Sequence, residues 1–201
     1  MGSRPPGGRP AGPNQAPAGG HAGSEDDGTP GDDFPGWQPG FDHGSGFDFD
    51  PGDDGIDVVL EEAAWRSAVP RVEAVARRAA AAAFAEAGVE GAVTVLLTGD
   101  FQVKRLNGDH RGKVKPTNVL SFPPLHPGMP GDVAVALGTV RREARAAGRS
   151  VMAHLSHLVA HGVLHLTGHD HLRAGEARRM ERAEARIMRR LALPNPWRGV
   201  A

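Results

Sequence analysis

Residues 151–166 form a segment that is apolar nearly all round, carrying Val151, Leu155, Leu158, Val159, Val163, Leu164 and Leu166, and it is broken mainly by histidines at 154, 157, 161 and 165. Steps of 3, 4 and 4 residues place those histidines on one face of a helix. A helix with so much apolar surface has to be surrounded, so the segment must run through the centre of a domain, starting at a Ser150 cap. His161 and His165 then stand one turn apart, about 5–6 Å between Cβ atoms, which is metal-ligand spacing. Gly168 follows, where a glycine can take the left-handed conformation that ends a helix and turns the chain back. His171 is thereby placed to return as a third ligand. Three imidazoles with a fourth position left for water describe a catalytic zinc site rather than a closed structural one.

The offsets match the zinc-protease pattern H-E-x-x-H-x-x-G-x-x-H in every letter but one. The glutamate that serves those proteases as general base is Gly162 here. The metal reading survives, while the ordinary peptidase mechanism loses its base. Six of the ten histidines fall between 154 and 171, which sets this segment apart from a core helix that happens to hold a histidine.

The chain has no cysteine, so any zinc must rest on His, Asp or Glu. No charged start leads into an apolar run, and no apolar stretch is long enough to span a bilayer, so a soluble cytoplasmic protein without a membrane role is expected. The net charge of −1 conceals an asymmetry: residues 1–55 hold 10 acidic and 2 basic side chains, a net of −8, and residues 56–201 hold 14 acidic and 21 basic, a net of +7. Residues 1–55 also carry 15 of the 28 glycines and 9 of the 17 prolines. Such a segment cannot bury enough apolar surface to offset its ordering entropy and reads as a disordered tail. Phe34, Trp37, Phe41, Phe47 and Phe49, set among aspartates, are read as part of that solvated tail rather than as a docking element. The remainder, 56–201, is the folded domain, and its basic balance permits a nucleic-acid footprint.

Within the domain, Ile56–Leu60 predicts a first strand, and Ser67 caps a helix to about Ala87 with Pro70 in its first turn. Val93 to Thr98 predicts a second strand, and Asp100 caps a short helix ending near Asn107-Gly108. A basic loop follows from Asp109 to Asn118. Two strands come next, Val119 to Pro123 and Asp132 to Leu137, the latter with one buried face carried by Val133, Val135 and Leu137. Thr139 caps a further helix. After the histidine helix, a charged helix from about Arg173 to Leu191 closes the fold. The fold class is α+β: one domain, a small mixed β-sheet packed against helices, with the zinc site at the end of the buried central helix.

Two segments together, Arg111-Gly-Lys-Val-Lys-Pro-Thr-Asn-Val-Leu-Ser-Phe122 and His161-Gly-Val-Leu-His-Leu-Thr-Gly-His-Asp-His171, closely resemble the YbeY family of bacterial endoribonucleases that act in ribosomal RNA maturation. Gly131-Asp132-Val-Ala-Val and the order of elements fit as well, so the likeness spans about residues 56–193. The resemblance implies one zinc ion per chain on His161, His165 and His171, and hydrolysis of single-stranded RNA, notably at the 3′ end of the small-subunit rRNA. It further implies a part in ribosome quality control and contacts with the small ribosomal subunit and the GTPase Era. Arg111 matches the arginine that the family places at the substrate groove. Two departures are visible: His110 replaces a usual aromatic residue, and His169 replaces a common tyrosine, which raises the question of an alternative or fourth nitrogen.

The chemistry follows from the site: zinc can acidify a bound water toward ~7 and polarise a phosphoryl oxygen. Arg111 is a candidate catalytic and substrate-binding residue, gripping phosphate as a planar fork, with Lys113 and Lys115 as point charges. With Gly162 in the glutamate's place, the general base is His157, His154 or no side chain at all. Asp170 is a candidate carboxylate partner for a ligand histidine. Two rival classes stay open: a metalloprotease-like hydrolase, and a non-catalytic ribosome-assembly factor whose structural zinc takes a fourth ligand from His169.

Overall fold

Four strands form one mixed sheet in the order β1-β2-β4-β3. Here β1 is Ile56–Leu60, β2 Val93–Thr98, β3 Val119–Phe122 and β4 Gly131–Ala136. β1, β2 and β4 run parallel, with Val58 beside Val95 and Val95 beside Val133, while β3 is antiparallel to β4. The computed structural model of the protein describes residues 55–111, 117–126, 131–169 and 174–197, so residues 1–54 of the acidic tail and 112–116 of the basic loop lie outside the described residues.

Among the described residues six helices accompany the sheet: α1 Ala64–Ala68, α2 Val72–Ala87, α3 Asp100–Arg111, α4 Leu137–Ala146, α5 Val151–Leu166 and α6 Ala174–Arg190. The main core lies on one side of the sheet. There Val95, Leu97, Val133 and Val135 meet Ala76, Ala79 and Ala83 of α2 and Leu155, Val159 and Val163 of α5. A second, smaller cluster on the opposite side joins Leu96, Ala134 and Ala136 to Val103 and Leu106 of α3. β4 is therefore buried on both faces, not one: its valines serve the main core and its alanines the second. A strand paired on both edges and covered on both faces reads as a continuous apolar run, and the alternation of Val with Ala concealed this.

Helix boundaries differ from the sequence expectation at three places. The predicted helix from Ser67 is two helices, because the chain breaks at Val69–Arg71, where Pro70 intervenes and Arg71 takes φ +54°. α3 continues past Gly108 to Arg111. Thr139 does not cap α4, which begins at Leu137; the carboxylate of Asp100 instead accepts the Thr139 backbone N–H at 2.8 Å and pairs with Arg142 at 2.9 Å. Asp100 thus supplies an acceptor to the first turn of a helix 39 residues away.

α5 runs as the spacing requires. Ser150 Oγ accepts the Ala153 N–H at 3.1 Å, and the helix packs directly on the sheet. Gly162 makes that approach possible: a Cβ there would stand 2.8 Å from Val133 Cγ1 and 3.0 Å from Ser121 Oγ. A glutamate at this position, as in the zinc proteases, has no room.

Candidate metal centre

The C-terminus of α5 sets one half of the site. Gly168 takes φ +88°, its N–H bonds the His165 carbonyl at 3.1 Å, and the His169 N–H bonds the Leu164 carbonyl at 3.0 Å. This is the paired-bond helix ending that a left-handed glycine allows. The turn also aims the His169 carbonyl back at the helix, where it lies 3.0 Å from His165 Nδ1. A carbonyl only accepts, so His165 Nδ1 carries the hydrogen and its Nε2 presents a lone pair.

α6 sets the other half. Its inward face runs through Met180, Ala183, Glu184, Ile187 and Met188, and Glu184 is only 1 % exposed. Glu184 Oε1 stands 2.7 Å from His161 Nδ1, Oε2 lies 3.2 Å from His157 Nε2, and Oε2 accepts the Trp197 indole N–H at 2.8 Å. Burial alone would raise the pKa of this carboxyl, but its contacts with His157 and His161 outweigh burial and bring it from 4.5 down to about 2. Glu184 is therefore an acceptor, His161 Nδ1 bears the hydrogen, and His161 Nε2 is likewise a lone pair in the neutral ring.

These two Nε2 atoms face each other at 3.1 Å. Two acceptors so close call for a cation shared between them, either a proton or a metal ion. Nitrogens each about 2.0–2.1 Å from one zinc ion stand about 3.4 Å apart in a tetrahedral arrangement, close to this separation. Imidazoles whose far nitrogens are tied to a carboxylate and a carbonyl are the usual form of metal-ligating histidines. The donor set fits a borderline-soft metal held by nitrogen. Among the described residues no third ligating side chain joins the pair, and His171 and Asp170, the third ligand and carboxylate of the sequence reading, lie outside them.

The other candidates fall in different places. His169 turns its ring toward Thr167 Oγ1 at 3.3 Å and contributes its carbonyl to the site. His154 is tied to Glu143 at 2.8 Å, and Asn118 Nδ2 donates to the same oxygen at 2.8 Å. Burial pushes the His154 pKa down despite that carboxylate. Seven residues along α5 separate it from His161, about 10 Å at 1.5 Å per residue. His157 stands nearer, its ring centroid 6.3 Å from that of His161, but its side chain is only 13 % exposed and Trp197 meets it edge-on at 5.9 Å. Its Nε2 lies 3.2 Å from Glu184 Oε2, the oxygen that also accepts the Trp197 indole N–H. Arg111 is the last residue of α3; its side chain, and Lys113 and Lys115, lie outside the described residues.

Glu184 was not among the sequence candidates. Its signal was a lone acid on the apolar stripe of a helix otherwise charged on its outside.

Fold and site together define an α+β protein whose central helix presents two convergent imidazoles of the kind that hold a metal. Comparison with known proteins narrows this. The family model "Endoribonuclease YbeY" matches residues 60–192. A protein of that name from Gluconobacter oxydans (strain 621H) is 51 % identical over 148 residues, covering 72 % of this chain and 88 % of its own length. Another from Rhodopseudomonas palustris (strain ATCC BAA-98 / CGA009) is 45 % identical over 153 residues, covering 71 % and 80 %. Among solved structures, the solution structure of TM1509 from Thermotoga maritima aligns with TM-score 0.48 at 24 % identity, over 68 % of this chain and 91 % of that one. The chain belongs to the YbeY family.

Proposed function

We propose that this protein is a zinc-dependent endoribonuclease that cuts single-stranded RNA in maturation of the small-subunit rRNA 3′ end. Its further role is in ribosome quality control in the cytoplasm, with the small ribosomal subunit and the GTPase Era as partners. Family membership supports the nuclease activity. The observation that carries the metal reading is the pair of Nε2 acceptors 3.1 Å apart, each fixed by the partner of its other ring nitrogen.

One zinc per chain would rest on His161, His165 and His171. When bound it supplies Lewis acidity, acidifying water and polarising a phosphoryl oxygen. The chain's own residues do the rest. Arg111, at the end of α3, grips a phosphate through its planar fork, and Lys113 and Lys115 add positive charge along the RNA backbone. Glu184 and the His169 carbonyl keep both ligand rings in the tautomer that points Nε2 inward. His154 and His157 are each committed to a carboxylate, so they act as positioning residues, and no side-chain general base is assigned among the described residues. The closed packing around Gly162 disfavours the protease alternative, and the orientation of the His169 ring disfavours a fourth nitrogen from that residue.

The test measures zinc content beside cleavage of single-stranded RNA and of casein. We expect about one zinc per chain, RNA cut, casein intact, and metal lost from each of His161→Ala, His165→Ala and His171→Ala. RNA cleavage by metal-free protein would overturn the reading, and full zinc in His171→Ala would shift the third ligand to His169.

A further inference from the structure

A cavity of about 330 Å³ opens beside His161, and its described lining is His161, Ala177, Met180, Glu181, Glu184 and Trp197. Its surface is mostly apolar. One wall is an indole tied at its ring N–H and carried on a backbone fixed at two further points. The Trp197 Nε1–H donates to Glu184 at 2.8 Å, its backbone N–H donates to Asn195 Oδ1 at 2.9 Å, and the Pro196 carbonyl just before it accepts from Arg149 Nη2. Trp197 is nevertheless 43 % exposed, so an aromatic surface lies open while its edge is fixed. Glu184 ties this wall to the site, because one oxygen holds the indole and the other holds His161.

We propose that this cavity is a nucleobase subsite, taking a base next to the phosphate that is cut by stacking it on Trp197. The proposal rests on the nuclease reading above. The described lining suits an uncharged, flat occupant: Ala177, Met180 and the Trp197 indole give it apolar surface, and Glu181 adds a negative rather than a positive charge, so the base enters and the RNA backbone is left to the basic side chains. Stacking on an aromatic face is sequence-tolerant, because every base has one. A platform fixed to the carboxylate that orients His161 would hold the neighbouring phosphate in register with the metal centre.

The experiment uses the full chain carrying Trp37→Phe, which leaves Trp197 as the responsive indole, since Trp65 is fully buried and donates its N–H to the Thr98 carbonyl. Adenosine 5′-monophosphate should quench Trp197 fluorescence saturably, and ribose 5-phosphate should not. In cleavage of a single-stranded oligoribonucleotide, Trp197→Leu should raise KM about ten-fold, within the range of base stacking, while Trp197→Phe keeps most of the affinity. Equal response to the two ligands, or none, overturns the subsite. So does a Trp197→Leu protein that loses zinc and kcat at unchanged KM, which would mean that the indole acts only through Glu184. The titration needs no turnover, so the subsite stands or falls by it even where the nuclease reading fails.

Discussion

A buried carboxylate costs several kcal/mol unless donors meet its oxygens, and Glu184 meets His161, His157 and the Trp197 indole at once. Replacing it with glutamine keeps the shape but removes the charge that holds the His161 hydrogen on Nδ1. Glu184→Gln should therefore weaken zinc binding by about 10–100-fold, measured by competition with a chelator. Unchanged affinity would show that His161 does not need its carboxylate. Arg111→Ala, in contrast, should keep zinc and melting temperature but slow RNA cleavage, by about 1.5–3 kcal/mol for a lost charged hydrogen bond. A mutant with near-normal cleavage would place Arg111 in a surface ion pair worth ~0–1 kcal/mol. The convergence of His161 and His165 was legible in the sequence because the two are local, 4 residues apart on one helix. Glu184 was not, because it comes from another helix 23 residues on, and only folding reveals which acid an apolar stripe turns inward.

Among the elements, α5 shows how spacing and packing divide the work. Its length, cap and histidine face followed from periodicity and from Ser150 and Gly168, and the strands followed from short apolar runs, β-branched in β1 and alternating in β4. What escaped was non-local: the break at Pro70, the second buried face of β4, and the Asp100 contact to α4. Gly162→Ala should destabilise by about 1–3 kcal/mol, as overpacking does, because the added methyl meets Val133 within a close-packed sheet contact. A lowered melting temperature checks this, and an unshifted one would mean that α5 can lift off the sheet freely. Asp100 gives a pH signature. Burial would raise its pKa, but the Thr139 N–H and Arg142 outweigh that and hold it below 3.8. A carboxylate with a depressed folded pKa contributes stability that is fully present above the unfolded value and is lost as pH falls through the folded one. Asp100→Asn should therefore flatten the loss of melting temperature below about pH 3.8, seen by comparing both proteins at pH 7 and pH 3. Parallel curves would show that the pairing does not survive in solution.

At the scale of the whole molecule the charge is divided, −8 on residues 1–55 against +7 on the remainder. The family match begins at residue 60, so the acidic segment precedes the shared domain and contributes none of the strands or helices described above. Within the described residues no helix is long and apolar enough to cross a membrane. A Gly/Pro/Asp-rich segment brings no core, so deleting residues 1–53 should leave the melting temperature and the RNA cleavage rate at physiological salt nearly unchanged. A segment of net −8 is, however, expected to compete with RNA for a domain of net +7. At low ionic strength, where the screening length reaches ~30 Å at 0.01 M, that competition acts across the domain, and at physiological salt, where it is ~8 Å, it is mostly screened. The truncated protein should bind single-stranded RNA more tightly than the full chain at low salt, and the two affinities should converge as salt rises. A titration at several salt concentrations reads both effects: equal affinities at low salt would dispose of competition by the tail, and an early melt on truncation would show that the segment packs on the domain after all.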